Sequence, residues 1–238
     1  MSTIRNFDGT EFAYQRTRDD ILHGRLQPGQ PISQLKLAEQ LGLSRGPLRE
    51  AMRMLQRDGL LVAEFNHRFK VAPLDIADLE QAYAMRIALE PIAVRISIPN
   101  LTEQHFSTIA HDAQRAEEPG QTLDDPIIDL HTRFHIQLQA GAPPQLGEQC
   151  LHLLDRTERY RRFWSSAAPD RDEIVALSRA EHWQIYEAAL ARNAELAAEL
   201  TVRQLARTAK QLISAIDPAY DAKVLRAAVQ QSGLVIAD

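Results

Sequence analysis

At 238 residues the chain is long enough for two domains with real cores, and its 45% hydrophobic and 25% charged content is ordinary for a globular protein. No apolar run approaches the roughly 20 residues of a membrane helix, and the N-terminus lacks a leader's apolar core. The single cysteine, Cys150, cannot form an internal disulfide, so a cytoplasmic protein with no membrane partner is expected. The net charge of −5 is unevenly spread: residues 1–72 hold 11 Lys and Arg against 8 Asp and Glu, and the remainder 16 against 24. A basic head on an acidic body suits a nucleic-acid reader joined to a separate domain.

In chain order, residues 1–10 are polar and carry Gly9, which reads as a loose arm. Phe12, Tyr14, Ile21 and Leu22 then predict a helix over 11–23, and Gly24 with Pro28-Gly29 a turn. Ser33 is placed to cap a helix with Leu35, Leu37, Ala38 and Leu41 on its apolar side. Gly42 ends that helix and Ser44 caps the next. In the second helix Leu48, Ala51, Met52 and Leu55 share one arc, Arg49, Arg53 and Arg57 lie outside it, and Arg45 is at its edge. Such a helix suits a DNA major groove; the plain alternative is a helical hairpin with a solvated arginine face.

Two apolar stretches, 60–65 and 69–72, predict strands joined at Asn66-His67-Arg68. The unit is a winged helix-turn-helix with Ile21, Leu37, Leu41, Leu48, Leu55, Leu60 and Val71 as its core. Gly42-Leu43-Ser44-Arg45-Gly46 also matches the G-x-S-x-G nucleophile elbow, but that motif needs a strand before it, and here a helix precedes it.

Pro73-Leu74 marks the boundary, and beyond it only helical periodicity is found. Helices are predicted over 75–97, 102–118, 126–140, 145–166, 173–191 and 194–215, with breakers at Pro99-Asn100, Pro119-Gly120, Gly141 to Pro144, Pro169 and Pro218. Asp125-Pro126 is a start signal. A tail from 219 holds a short helix near 220–230 and an apolar end at Leu234-Val235-Ile236. The fold expected is mostly α: a winged helix-turn-helix over 1–73, an all-helical bundle over 74–218, and a tail over 219–238. His131 and His135 stand four apart on one predicted helix, a spacing that lets two imidazoles share one metal ion.

Leu26-Gln27-Pro28-Gly29, the run from Leu37 to Ala51, and Leu55 to Leu61 closely resemble the GntR family of bacterial transcription regulators. Arg86-Ile87-Ala88-Leu89-Glu90, Arg133-Phe134-His135, Glu181-His182 and Arg203-Gln204-Leu205 resemble the FCD-type effector domain of its FadR-like subfamily. For the head, the resemblance implies DNA contacts at Ser44, Arg45, Gly46, Pro47 and Arg49, with the wing tip near His67 and Arg68. Family wings usually end in a glycine, and this one has none. Arginine can hold guanine bidentately, and Ser44 with free helix-start amides can hold a phosphate.

For the body, metal-binding members of the subfamily use an aspartate, a histidine four residues later and two further histidines. Those positions fall here on His131, His135, His182 and Gln204, so the chain departs at the first and the last. Three imidazoles make a workable zinc or nickel site; the alternative is a polar cavity without metal. Gln204 and Arg86 are placed to contact an effector, most plausibly a carboxylate. The resemblance thus implies a cytoplasmic, homodimeric regulator, a repressor, that reads a palindromic operator in double-stranded DNA under control of a small molecule and, with three histidines, a divalent metal. The opposing readings are a metal-dependent enzyme using the three histidines, for which no zincin motif or placed general base is found, and a ligand-independent DNA-binding protein.

Overall fold

The computed structural model describes residues 2–64, 68–115, 127–167 and 171–233. The chain divides into two compact units, Met1–Asp75 and Ile76–Asp238.

In the first unit, α1 (Ser2–Leu22) precedes a two-residue strand β1 (Pro31–Ile32), then α2 (Gln34–Leu41), α3 (Arg45–Arg57), β2 (Leu61–Glu64) and β3 (Arg68–Val71). The expected loose arm is instead the beginning of α1. Gly9, read as a breaker, is buried, and a Cβ there would sit 3.3 Å from Leu43 and 3.5 Å from Pro47, so its missing side chain lets α1 close onto the start of α3. Ser33 caps α2 through the Lys36 amide at 3.4 Å, and Gly42 ends it in the left-handed region (φ 65°).

The sheet order is β1-β3-β2, antiparallel throughout, with Leu61 opposite Val71, Glu64 opposite Arg68 and Ile32 opposite Phe69. β1 was not expected: two residues carry no periodicity, and Pro31 is tolerated because β1 is an edge. The core holds Ile21, Leu37, Leu48, Leu55, Leu60 and Val71 as expected, with Leu41 partly buried; Ala13, Ala51, Met52 and Leu61 complete it.

The second unit is all-helical among the described residues: α4 (Ile76–Ser97), a 3-10 turn at Ile98–Asn100, α5 (Glu103–Arg115), α6 (Ile127–Leu138), α7 (Pro144–Ala167), α8 (Arg171–Leu190), α9 (Ala194–Ile216) and α10 (Lys223–Gln231). The signal at Asp125-Pro126 and the apolar end at 234–236 lie outside the described residues. No helix among those described is long and apolar enough to cross a membrane.

α4 packs against α7, α9 and α10, which explains why its sequence is apolar on most sides and runs on through Pro91. Alanines at 197, 198, 206 and 209 line the buried side of α9. Val94, Ile98, Phe106, Ile109, Phe134, Leu138, Ile185 and Ala189 form the apolar core at one end of the bundle. The last helix is secured by Glu80 of α4: its buried carboxylate accepts the Val224 and Leu225 amides at 2.7 and 3.1 Å and the Tyr220 hydroxyl at 2.9 Å. No side chain of α10's own caps it.

After α6 the chain turns at Gly141, whose amide donates to Ser97 Oγ at 2.8 Å. A Cβ at Gly141 would lie 2.6 Å from the Ser97 carbonyl oxygen and 2.9 Å from Asn100 Cβ. Gly141→Ala should therefore destabilise the protein by about 1–3 kcal/mol through overpacking against backbone. A calorimetric scan should show the lower melting temperature, and an unchanged one would mean that this close approach is not required.

Candidate functional site

In the head, α3 buries Leu48, Ala51, Met52 and Leu55 completely and turns Arg45, Arg49, Arg53 and Arg57 outward. The four arginines are not equivalent. Arg53 reaches Glu50 at 3.5 Å and Arg57 reaches Asp58 at 3.8 Å, whereas Arg45 and Arg49 have no ion-pair partner among the described residues.

Ser44 occupies the N-cap position with extended backbone (φ −72°, ψ 161°), but its hydroxyl makes no capping bond, contrary to its expected role. It stays exposed, with its oxygen uncommitted beside the free amides of the first turn. Gly46 is exposed and nothing lies within 4 Å of where its Cβ would be, which leaves room for a backbone to approach. Pro47, grouped with the DNA contacts from sequence, is buried close to Gly9. It stands where a helical N–H would have no acceptor and acts in packing. Arg68 is the first residue of β3, and His67 lies outside the described residues.

In the body, the structure brings together His131 and His135 of α6 and His182 of α8. Their ring centroids form a near-regular triangle of 4.8, 5.1 and 5.3 Å, and their ligand nitrogens all lie within 4.8 Å of one another. His182 was placed here only by resemblance, and the fold puts it beside the pair four apart. Both ring nitrogens of His135, Nε2 of His182, Arg86 Nη2, Glu90 Oε2 and Gln204 Oε1 are buried without a hydrogen-bond partner.

Two buried carboxylates stand behind these groups. Glu90 of α4 is paired with Arg86 one turn earlier, and its Oε2 is 3.6 Å from His135 Nδ1. Arg86 also donates to Thr157 of α7 at 2.9 Å. Glu158 of α7 takes Arg161 through Nε at 2.8 Å and Nη2 at 2.5 Å, and Arg162 through Nε at 3.0 Å. Its Oε2 lies 3.2 Å from His131 Nδ1, off the ideal line of a hydrogen bond. Sequence reading gave Arg161 and Arg162 no role here; the Glu-x-x-Arg-Arg spacing was visible, but not which way it faces. Arg86, placed by resemblance to meet an effector carboxylate, already has a carboxylate partner on its own helix. Gln204, buried on α9, makes no hydrogen bond to the three imidazoles.

Burial holds all three imidazoles neutral. It pushes His131 down to about 4, reinforced by Arg161, and keeps His135 and His182 well below the usual histidine range, because a proton on either would also repel one on His131. Burial alone would raise the Glu158 carboxyl, but Arg161 foremost, then His131 and Arg162, hold it well below the usual range. Neutral imidazoles are the form that binds metal.

The sign of the linkage follows. In the metal-free protein the unfolded chain takes up protons near pH 6.5, while folded His131 does so only near 4. Stability is then fully present above about pH 6.5 and declines toward pH 4, by at most about 1.4 kcal/mol per pH unit for each such histidine. Urea titrations of chelator-treated protein at pH 7.5, 6 and 5 should show this decline, and His131→Gln should make it shallower while His135 and His182 maintain the rest. A pH-independent midpoint in the parent would contradict it.

Comparison with known proteins bears on the two units as wholes. The family model for bacterial regulatory proteins of the gntR family matches residues 10–71, and that for the FCD domain matches residues 81–207. The chain is 30% identical over 186 residues to the HTH-type transcriptional regulator YdhC of Bacillus subtilis (strain 168), covering 77% of this chain and 82% of that one. It is 25% identical over 209 residues to the HTH-type transcriptional repressor GlaR of Escherichia coli (strain K12), covering 85% and 93%. The solved structure of E. coli McbR/YncC shares the fold with a TM-score of 0.73 at 23% identity, over 86% of this chain and 96% of that one. A helix-turn-helix head joined to a helical FCD unit thus makes this chain a member of the GntR family of bacterial transcription regulators, a DNA-binding protein and not an enzyme.

Proposed function

We propose that this regulator is a homodimeric repressor that reads a palindromic operator and releases it when a small carboxylate enters the helical unit, where His131, His135 and His182 hold a divalent ion, zinc or nickel. One observation carries the sensor half: six partnerless polar atoms, from Arg86, Glu90, His135, His182 and Gln204, occur in the buried polar set of this unit. Buried polar groups are nearly always bonded, so a concentration of orphans calls for a ligand. The donor set suits a borderline metal, with three neutral nitrogens and no thiolate. A bound ion supplies positive charge that draws an anionic effector. Arg86 Nη2 donates to a carboxylate oxygen, and Gln204 Oε1 accepts from a hydroxyl or amide on the same molecule.

For DNA, Arg45 and Arg49 supply base contacts, Ser44 and the amides at Arg45 and Gly46 a phosphate contact, and His67 and Arg68 the wing contact. A two-fold dimer matches a palindrome with one α3 per half-site. Ligand control requires that the effector bind one arrangement of the dimer better than the other, and the operator the reverse. Repression follows the naming of relatives such as GlaR.

The test uses duplex DNA selected by the full-length protein from a random pool. Arg49→Ala should weaken the selected site about 10- to 100-fold with unchanged circular dichroism, as expected for loss of one bidentate base contact. Arg53→Ala, whose side chain already faces Glu50, should cost far less. Parent-like affinity of Arg49→Ala at physiological salt would remove α3 as the reader.

Chelator-treated protein should take up one zinc or nickel ion per chain by elemental analysis, and His135→Ala should take up none. A parent that binds neither ion leaves the histidines as a metal-free cavity. A panel of small carboxylates should contain one that lowers affinity for the selected DNA; no change across the panel counts against carboxylate sensing.

A further inference from the structure

Glu158 is 1% exposed, and its four lone-pair directions are nearly all accounted for. Oε1 accepts from Arg161 Nη2 and Arg162 Nε, and Oε2 accepts from Arg161 Nε. Oε2 also lies 3.2 Å from His131 Nδ1, off the line of a hydrogen bond but close enough for one once the ring turns into line. A carboxylate gripped by two guanidinium groups only accepts, so a neutral imidazole beside it has to present Nδ1 as the donor. That choice leaves the lone pair on Nε2. Because both arginines come from the next turn of the same helix, the carboxylate cannot swing away to follow the ring.

We infer that Glu158 is a positioning residue for the metal site: by taking the Nδ1–H of His131 it fixes the tautomer and ring plane in which Nε2 is the ligand atom. This rests on the metal reading above. Outer carboxylates of this kind restrict ring rotation and make the imidazole a stronger donor, and their loss typically weakens metal binding about 10- to 100-fold. Glu90 does not play the same part for His135: at 3.6 Å the separation is too long for a hydrogen bond, and its Oε2 has no partner. The three ligands therefore differ. His131 is held from behind, and His135 and His182 take their orientation from packing, with Phe134 against both rings at 5.4 and 4.6 Å between centroids.

The test is a double-mutant cycle on the full-length protein, with zinc affinity read by competition against a chromophoric chelator and site symmetry by the visible spectrum of the cobalt(II) form. Glu158→Gln should lose about 10- to 100-fold in zinc affinity and alter the cobalt spectrum. In a His131→Ala background the same change should cost no more than two- to threefold, because the ring it holds is gone. Long-range proton–nitrogen NMR of the parent supplies a second readout that needs no variant and survives if Glu158→Gln fails to fold. His131 should be protonated at Nδ1 in both the metal-free and zinc-loaded protein.

Parent-like zinc affinity in Glu158→Gln overturns the assignment, and so does an equal loss with and without His131, which would mean a general structural role. An Nε2–H tautomer at His131 overturns it as well. If the parent binds no zinc while NMR still finds the Nδ1–H tautomer, the metal reading falls and the hold of Glu158 on His131 stands.

Discussion

Burying a carboxylate inside a helical bundle is costly unless its charge is met on the spot. Here both buried glutamates at the site are met from their own helices. Arg86 precedes Glu90 by one turn on α4, and Arg161 and Arg162 follow Glu158 by one turn on α7. Because each pair is local in sequence, the charges are matched however the helices pack, and the packing can be set by other needs. What the bundle then brings together is a neutral face, three imidazoles and an amide, with compensated charge behind it. The resulting field is uneven: guanidinium groups outnumber carboxylates around the rings and add to the burial that keeps the histidines unprotonated.

The head follows a different logic, in which apolar closure decides which charges stay free. Full burial of Leu48, Ala51, Met52 and Leu55 fixes the rotation of α3 about its axis. That rotation leaves Arg45 and Arg49 without an ion-pair partner among the described residues and Arg53 and Arg57 beside carboxylates. Pro47 and Gly9 make the closure possible at the helix start, one by filling space and the other by vacating it. The reading face is thus a by-product of core packing, and substitutions that loosen α1 against α3 would turn the arginines away without touching them.

How much of this was legible in the sequence depended on the range of the information. α3 could be read almost to the residue, since a 3.6-residue apolar repeat and a left-handed glycine are local signals. The helices of the second unit were readable for the same reason, with Pro99-Asn100, Gly141 to Pro144 and Pro218 standing near the ends of those described. Gly9 misled because a glycine that permits close approach looks the same in sequence as one that breaks a helix. β1 was too short to carry a pattern.

At the site, the four-residue spacing of His131 and His135 was enough to pair them, whereas His182 needed the family resemblance because α8 is joined to α6 only through tertiary packing. Glu158 was missed for a related reason: a charged i, i+3, i+4 cluster on a helix most often faces water, and only the packed bundle shows that this one faces inward. Arg86 was matched by resemblance to an incoming carboxylate, and its partner on the same helix, Glu90, was overlooked.

The cap that Glu80 provides for α10 has a consequence for the order in which the protein is made. The head has a core of its own and closes once β3 has left the ribosome, since domains fold as units and the N-terminal one folds first. The second unit cannot complete itself so early, because the amides of Val224 and Leu225 that satisfy a buried carboxylate of α4 lie 144 and 145 residues further along the chain. At about 5–20 residues per second the interval is on the order of ten to thirty seconds. During it, a nascent chain carries a finished head beside an unfinished helical unit. Glu80 therefore acts as a checkpoint in time: α4 is locked only after α10 has emerged.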